Sequence, residues 1–196
     1  PPCGFYLDPL PSSSFNLSRV PSRLPLFRSL VLDSAIAFGA PFEFRCAPVC
    51  GRDGERWAQA IATGLADAGF ESNLSCSGHM HIGMLDDVDM PVSDHGVKAF
   101  AALSAMQRAI FALCDPERWG ISGRAGNEYA QVVTGHDIRN VLSGGLGNVR
   151  TRYMAINASA FRSHGTIEVR AFSGDIPHNA ELQTHAAALV TAIADS

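Results

Sequence analysis

Apolar and polar residues alternate along some stretches of this chain and recur every three or four positions along others. In Cys76-Ser77-Gly78-His79-Met80-His81-Ile82-Gly83, His79 and His81 share one strand face, and Met80 and Ile82 share the other. In Gly165-Thr166-Ile167-Glu168-Val169-Arg170-Ala171-Phe172, Glu168 and Arg170 share a face opposite Ile167 and Val169. Each pattern predicts a strand with an apolar row toward a core and a polar row on the other side. Phe42-Glu43-Phe44-Arg45-Cys46 alternates likewise and stops before Pro48, with Glu43 and Arg45 on one face. Further strands are expected over 70–74 and 152–157.

Helical spacing appears in three places. After a turn at 51–54, Trp57, Ala60, Ile61, Gly64, Leu65 and Ala68 form a stripe that Gly69 is placed to stop. Ser93 or Asp94 can cap a helix over 95–114, whose buried side is Val97, Phe100, Leu103, Ile110 and Phe111, with Pro116 beyond its end. Asn179 can cap a last helix lined by Leu182, Ala186, Leu189, Val190 and Ile193. Residues 115–149 carry seven glycines and are expected to be loop; Gly144-Gly145-Leu146-Gly147-Asn148 reads first as a flexible loop, with a lid over a site or a backbone approach to phosphate as alternatives.

Residues 1–40 hold six of the eleven prolines and the run Ser12-Ser13-Ser14. They are expected to form a poorly ordered arm, with one short apolar helix over 26–38. Residues 41–196 then make the single domain. The pattern as a whole predicts an α+β fold: a curved, mostly antiparallel sheet with helices packed on its outer face.

Composition narrows the class. A hydrophobic content of 46% and a charged content of 17% suit a globular domain with a real core. The formal charge of -4 gives no reason to expect nucleic acid or an acidic membrane as a partner. Five cysteines, an odd number in a 196-residue chain, favour a reducing compartment and so a cytoplasmic location. Cys46-x3-Cys50 and Cys76-x2-His79 allow a zinc site as a minor reading; buried thiols are the simpler one.

The two polar rows carry the chemistry. Two imidazoles and a carboxylate can hold Mg2+ or Mn2+, and a guanidinium can meet phosphate oxygens bidentately. Taken separately, His79 with His81 reads equally as a satisfied core pair, and Glu168 with Arg170 as a neutral charge ladder.

Four motifs in order also resemble a family. The strand at 42–49, the His-x-His strand at 76–83, the segment Arg152-Tyr153-Met154-Ala155-Ile156-Asn157 and the strand Gly165-Thr166-Ile167-Glu168-Val169-Arg170-Ala171-Phe172-Ser173-Gly174 are similar to those of the amidoligases. These are carboxylate–amine ligases related to glutamine synthetase and glutamate–cysteine ligase. The resemblance runs from about residue 40 to the C-terminus. It implies a glutamine synthetase catalytic-domain-like fold and an ATP-dependent ligase that makes an amide through an acyl phosphate. The implied cofactors are ATP and Mg2+ or Mn2+; the substrates would be carboxylates and amines, whether small molecules, peptides or proteins. By the same analogy His79, Glu168 and Glu43 are metal ligands, and His81, Arg152 and Arg170 are catalytic. His81, Arg152, Asn157 and Arg170 would contact the nucleotide.

One departure stands against this. The family's Glu-x-Glu strand is not found; Ile36-Ala37-Phe38-Gly39-Ala40-Pro41-Phe42-Glu43-Phe44 offers one glutamate and an intruding proline. The first strand is therefore expected to be missing or altered. An inactive relative acting as a binding domain is the alternative, and a zinc hydrolase or structural zinc domain is a lesser one.

Overall fold

A computed structural model of the chain describes residues 3–7, 10–11, 27–32, 42–46, 52–67, 70–71, 77–84, 93–114, 130–173 and 180–194. The strands are β1 (Cys3–Leu7), β2 (Leu10–Pro11), β3 (Phe27–Leu32), β4 (Phe42–Cys46), β5 (Phe70–Glu71), β6 (Ser77–Gly83), β7 (Ile156–Asn157) and β8 (Thr166–Ser173). The helices are α1 (Arg52–Asp67), α2 (Ser93–Cys114), α3 (Gly135–Gly144), α4 (Ala160–His164) and α5 (Ala180–Ala194). The architecture is α+β. Among the described residues, six strands form one sheet in the order β3-β4-β1-β6-β8-β7, and β2 pairs with β5 separately. Each pairing of these strands is antiparallel, and an isolated bridge between Gln131 and Met154 is parallel.

Alternation builds the core as expected. Met80 and Ile82 of β6 and Ile167 and Val169 of β8 are fully buried on the apolar face. They join Phe100, Leu103, Ile110 and Phe111 of α2 and Ala186 and Val190 of α5 in one cluster. Removing such side chains from water is the main favourable term in folding. Helix α2 packs on β7, β8 and α5, and α1 packs on α5.

The β6–β8 register slips once. Gly78 faces Phe172 and Met80 faces Val169, so His79 alone stands opposite Arg170 and Ala171. This bulge explains why the consecutive residues Ala171 and Phe172 are both fully buried. Beyond it, Phe172 takes the apolar face beside Gly78, while Arg170 stays on the polar face.

Several expectations are corrected. Within residues 1–40, Cys3–Leu7, Leu10–Pro11 and Phe27–Leu32 are strands, and no helix spans 26–38. An apolar run of that length suits either element, and pairing with β4 decides for the strand. β1 lies between β4 and β6, so β6 is an interior strand. The expected loop at 115–149 contains α3, begun by a Thr134/Asp137 capping box. Only Ile156–Asn157 of the expected strand at 152–157 is strand, because 152–153 form a turn. Phe70–Glu71 pairs with β2 rather than entering the main sheet. Leu189, placed on the buried side of the last helix, is 41% exposed. Cys50, Gly69, Cys76, Pro116 and Asn179 lie outside the described residues.

Candidate functional site

The antiparallel register sets His81, Glu168 and Asn157 side by side across three strands. Adjacent strands lie about 4.8 Å apart, so polar groups from one row can meet. Glu168 is the centre. Its Oε2 accepts from Asn157 Nδ2 at 2.6 Å, and its Oε1 accepts from Arg170 Nη1 at 2.7 Å. His79 Nδ1 is 3.5 Å and His81 Nε2 is 3.7 Å from the same Oε1. The bulge opposite His79 lets His79 and Arg170 converge on one oxygen.

Hydroxyl groups aim both imidazoles. Ser77 Oγ lies 3.0 Å from His79 Nε2, and Thr166 Oγ1 lies 2.8 Å from His81 Nδ1. Each ring thereby turns its other nitrogen toward Glu168. A hydrogen bond on the far nitrogen orients the ring of a metal-ligating histidine. Burial lowers the pKa of His81 most strongly; Glu168 opposes this, and His164 and Arg170 reinforce it. The His164 ring stands edge-on to His81 with centroids 5.9 Å apart.

Asn157 is itself held in place. Its Oδ1 accepts from Ser159 N at 2.9 Å and from Ser159 Oγ at 2.7 Å, a local turn that leads into α4. Tyr153 ties the two arginines to the site. Arg170 lies 5.8 Å and Arg152 4.8 Å from its ring centroid, and Arg152 Nη2 donates to its hydroxyl at 2.8 Å. That hydrogen bond, with the charge of Glu168 contributing less, raises the pKa of Arg152.

The structure thus brings together His79, His81, Glu168, Arg170 and Asn157, with Arg152 joined through Tyr153. It does not bring Glu43 there. β4 is separated from β6 by β1, about 10 Å at two strand spacings. The row beside His81 continues at Gly4 and the row beside His79 at Tyr6, so β1 adds no carboxylate at either position. Arg150 is directed elsewhere, to Asp137 and Gln131. The glycine loop is closed rather than open to a phosphate: Gly145 N donates to Val141 O and Asn148 N to Gly145 O. Leu146 is buried, and its Cδ1 packs where a Cβ on Gly96 would stand.

Sequence reading missed Tyr153, Thr166, Ser159 and His164 as site groups. Thr166 had a usable signal, since it shares the alternate face with Glu168 and Arg170. The others depend on the turn at 152–153 and on α4, which no periodicity announces.

The donor set can be weighed against a divalent cation. Bonds of about 2.1 Å place the ligands of one ion roughly 3.0–3.4 Å from one another. The separations of 3.5 and 3.7 Å from Glu168 Oε1 to the two imidazole nitrogens come within a few tenths of that. Two imidazoles and a carboxylate suit Mn2+ better than Mg2+. Among the described residues no group of three His, Cys, Asp or Glu side chains is arranged to hold a metal ion, and Arg170 holds Oε1. Comparison with known protein families, curated proteins and solved structures returns no match. Among the described residues, no helix is long and apolar enough to cross a membrane.

Proposed function

We propose that the polar face of β6 and β8 binds a metal–nucleotide complex, and that the chain is a glutamine synthetase-like domain of an ATP-dependent carboxylate–amine ligase. The observation that carries this reading is the convergence of His79, His81 and Arg170 on one oxygen of Glu168. Glu168 and Arg170 together are neutral. A divalent cation on Glu168 leaves two positive charges, which calls for an anionic ligand such as a phosphoryl group. Arg170 and Arg152, both against Tyr153, stand where they can take phosphate oxygens.

In such a ligase the carboxylate substrate takes the γ-phosphoryl of ATP, and the amine then displaces phosphate to give the amide. The bound metal would supply charge neutralisation at the phosphates. His79, His81 and Glu168 are the residues to hold it; Asn157 orients Glu168 through Oε2. The arginines hold the transferring group in line. The acid and the amine would be carboxylates and amines of small molecules, peptides or protein side chains.

The test is calorimetric titration of Mg·ATP and Mn·ATP into the wild type and Glu168→Gln. Cation-dependent binding that weakens at least tenfold in the variant supports the reading. A folded wild type that binds neither complex sinks it.

A second reading has one specific support. Gly4 and Tyr6 stand beside the histidines, where carboxylates from a Glu-x-Glu strand would otherwise be sought. A domain that binds nucleotide without turnover fits this. Nucleotide binding with no phosphate release against a panel of acids and amines would select it.

A further inference from the structure

The polar row of β6 carries a hydroxyl that the ligase chemistry does not use. Ser77 and His79 are two residues apart on one strand face, so the pleat itself sets their side chains next to each other. Ser77 Oγ lies 3.0 Å from His79 Nε2, and His79 Nδ1 lies 3.5 Å from Glu168 Oε1. Hydroxyl, imidazole and carboxylate thus follow one another, with the carboxylate on the far nitrogen of the ring. This is the order that turns a hydroxyl into a nucleophile, and its contacts are commonly looser before substrate binds. The tautomer protonated on Nδ1 donates toward Glu168 and leaves Nε2 to accept the Ser77 proton. Surrounding contacts hold the carboxylate in place: Asn157 donates to one oxygen of Glu168 and Arg170 to the other. Thr166, His81 and Glu168 repeat the arrangement less well. Their imidazole stands 3.7 Å from the carboxylate, and the hydroxyl is secondary and more hindered.

We propose that Ser77 is an acyl-accepting nucleophile, with His79 as its general base and Glu168 positioning that base, and that this face hydrolyses small esters through an acyl-serine. The activity goes beyond the ligase reading and does not rest on it. The Ser77 Oγ–H proton passes to His79 Nε2 as Oγ bonds to the ester carbonyl carbon. The tetrahedral intermediate then collapses, the C–O bond to the alcohol breaks, and the leaving oxygen takes the proton from His79. Water repeats the sequence: it gives a proton to His79, bonds to the acyl carbon, and releases the acid as Oγ takes the proton back. One ester and one water become one acid and one alcohol, with no change of oxidation state. Arg170, on the same face, supplies positive charge that favours the anionic intermediate. Ser77 is only 7% exposed, which selects a small acyl group such as acetyl over a bulky one.

Two measurements on the whole chain test this, both in EDTA so that no metal hydroxide contributes. In the first, the wild type is treated with an alkyl fluorophosphonate and the modified residue is located by tandem mass spectrometry. The label is expected on Ser77. In the second, turnover of p-nitrophenyl acetate is compared among the wild type, Ser77→Ala and Glu168→Gln. Ser77→Ala should lose at least about a hundredfold in kcat. Glu168→Gln should lower kcat by a similar factor at unchanged KM, a split that a loosened fold would not produce. A folded wild type that takes no label, or takes it at Thr166 or elsewhere, would overturn the proposal, as would turnover that Ser77→Ala leaves intact. Where a variant does not fold, the labelling of the wild type decides alone.

Discussion

At the scale of single residues, Glu168 is the group on which the face depends. It is 6% exposed as a whole residue and is stabilised by a guanidinium and an amide. A buried carboxylate that loses a donor bears most of its desolvation cost. Asn157→Ala should therefore destabilise the fold by about 1.5–3 kcal/mol, measured by urea unfolding at pH 7. Asn157→Asp should be worse at neutral pH, because a second carboxylate would replace the donor now 2.6 Å from Oε2. Its deficit should shrink as the pH is lowered and one of the pair takes a proton. An Asp variant with a pH-independent deficit would show that Asn157 acts through packing and not through its amide. Much of this face was legible from the sequence, since a period of two needs no partner to be read. His79 with His81 and Glu168 with Arg170 follow from it directly. What it could not give was the neighbour of each strand. Glu43 alternates as well as Glu168 does, yet β1 stands between its strand and β6.

At the scale of elements, α3 shows both what a sequence signals and how the signal is lost. Thr134 accepts from Asp137 N, and Thr134 N donates to Asp137 Oδ2 at 2.9 Å, closing the box. Seven glycines between 115 and 149 hide this short start, because glycine lowers helix propensity at every place it occurs. The helix nevertheless forms, since Val141 is fully buried and Gln107 of α2 clamps Val133 by donating at 2.7 Å and accepting at 2.9 Å. Thr134→Ala should cost about 1 kcal/mol, read from the shift in urea midpoint. Asp137 supplies the pH dependence. Burial raises its pKa, but hydrogen bonds from Thr134 and the charge of Arg150 outweigh this and leave it lowered. A lowered carboxylate stabilises the fold above its ordinary value near 3.8, and that contribution disappears as the pH falls through the folded value. Asp137→Asn should thus be less stable than the wild type at pH 7, and the gap should narrow as the pH falls below the ordinary value of 3.8. A gap that did not narrow in acid would show that the charge of Asp137 contributes nothing. The bulge in β8 is the opposite case to α3: nothing in Arg170-Ala171-Phe172 announces it, because its cause is the pairing with β6.

At the scale of the whole molecule, the decisive placement is β1. Proline density argues for an arm over residues 1–40, and such an arm would be dispensable. Yet Cys3–Leu7 is a five-residue window between Pro2 and Pro9, free of proline itself, and it pairs with β4 on one side and β6 on the other. The local sequence is compatible with this strand but does not demand it; the tertiary pairing does. Its loss would unpair the histidine strand along the edge that carries His79 and His81, and an open edge invites association between chains. Deletion of residues 1–40 should therefore abolish cooperative thermal unfolding and give oligomers on size-exclusion chromatography. A milder form of the same test is Phe5→Pro, which leaves the chain length unchanged and puts a residue without an N–H into a strand paired on both sides. It should lower stability by about 1–3 kcal/mol and, on the proposed function, weaken Mn·ATP binding together with it, because His79 and His81 are set on the strand that β1 supports. A fragment of residues 41–196 that melted cooperatively as a monomer would restore the arm. β6 would then be braced by β8 alone, with the polar row complete without its β1 neighbour.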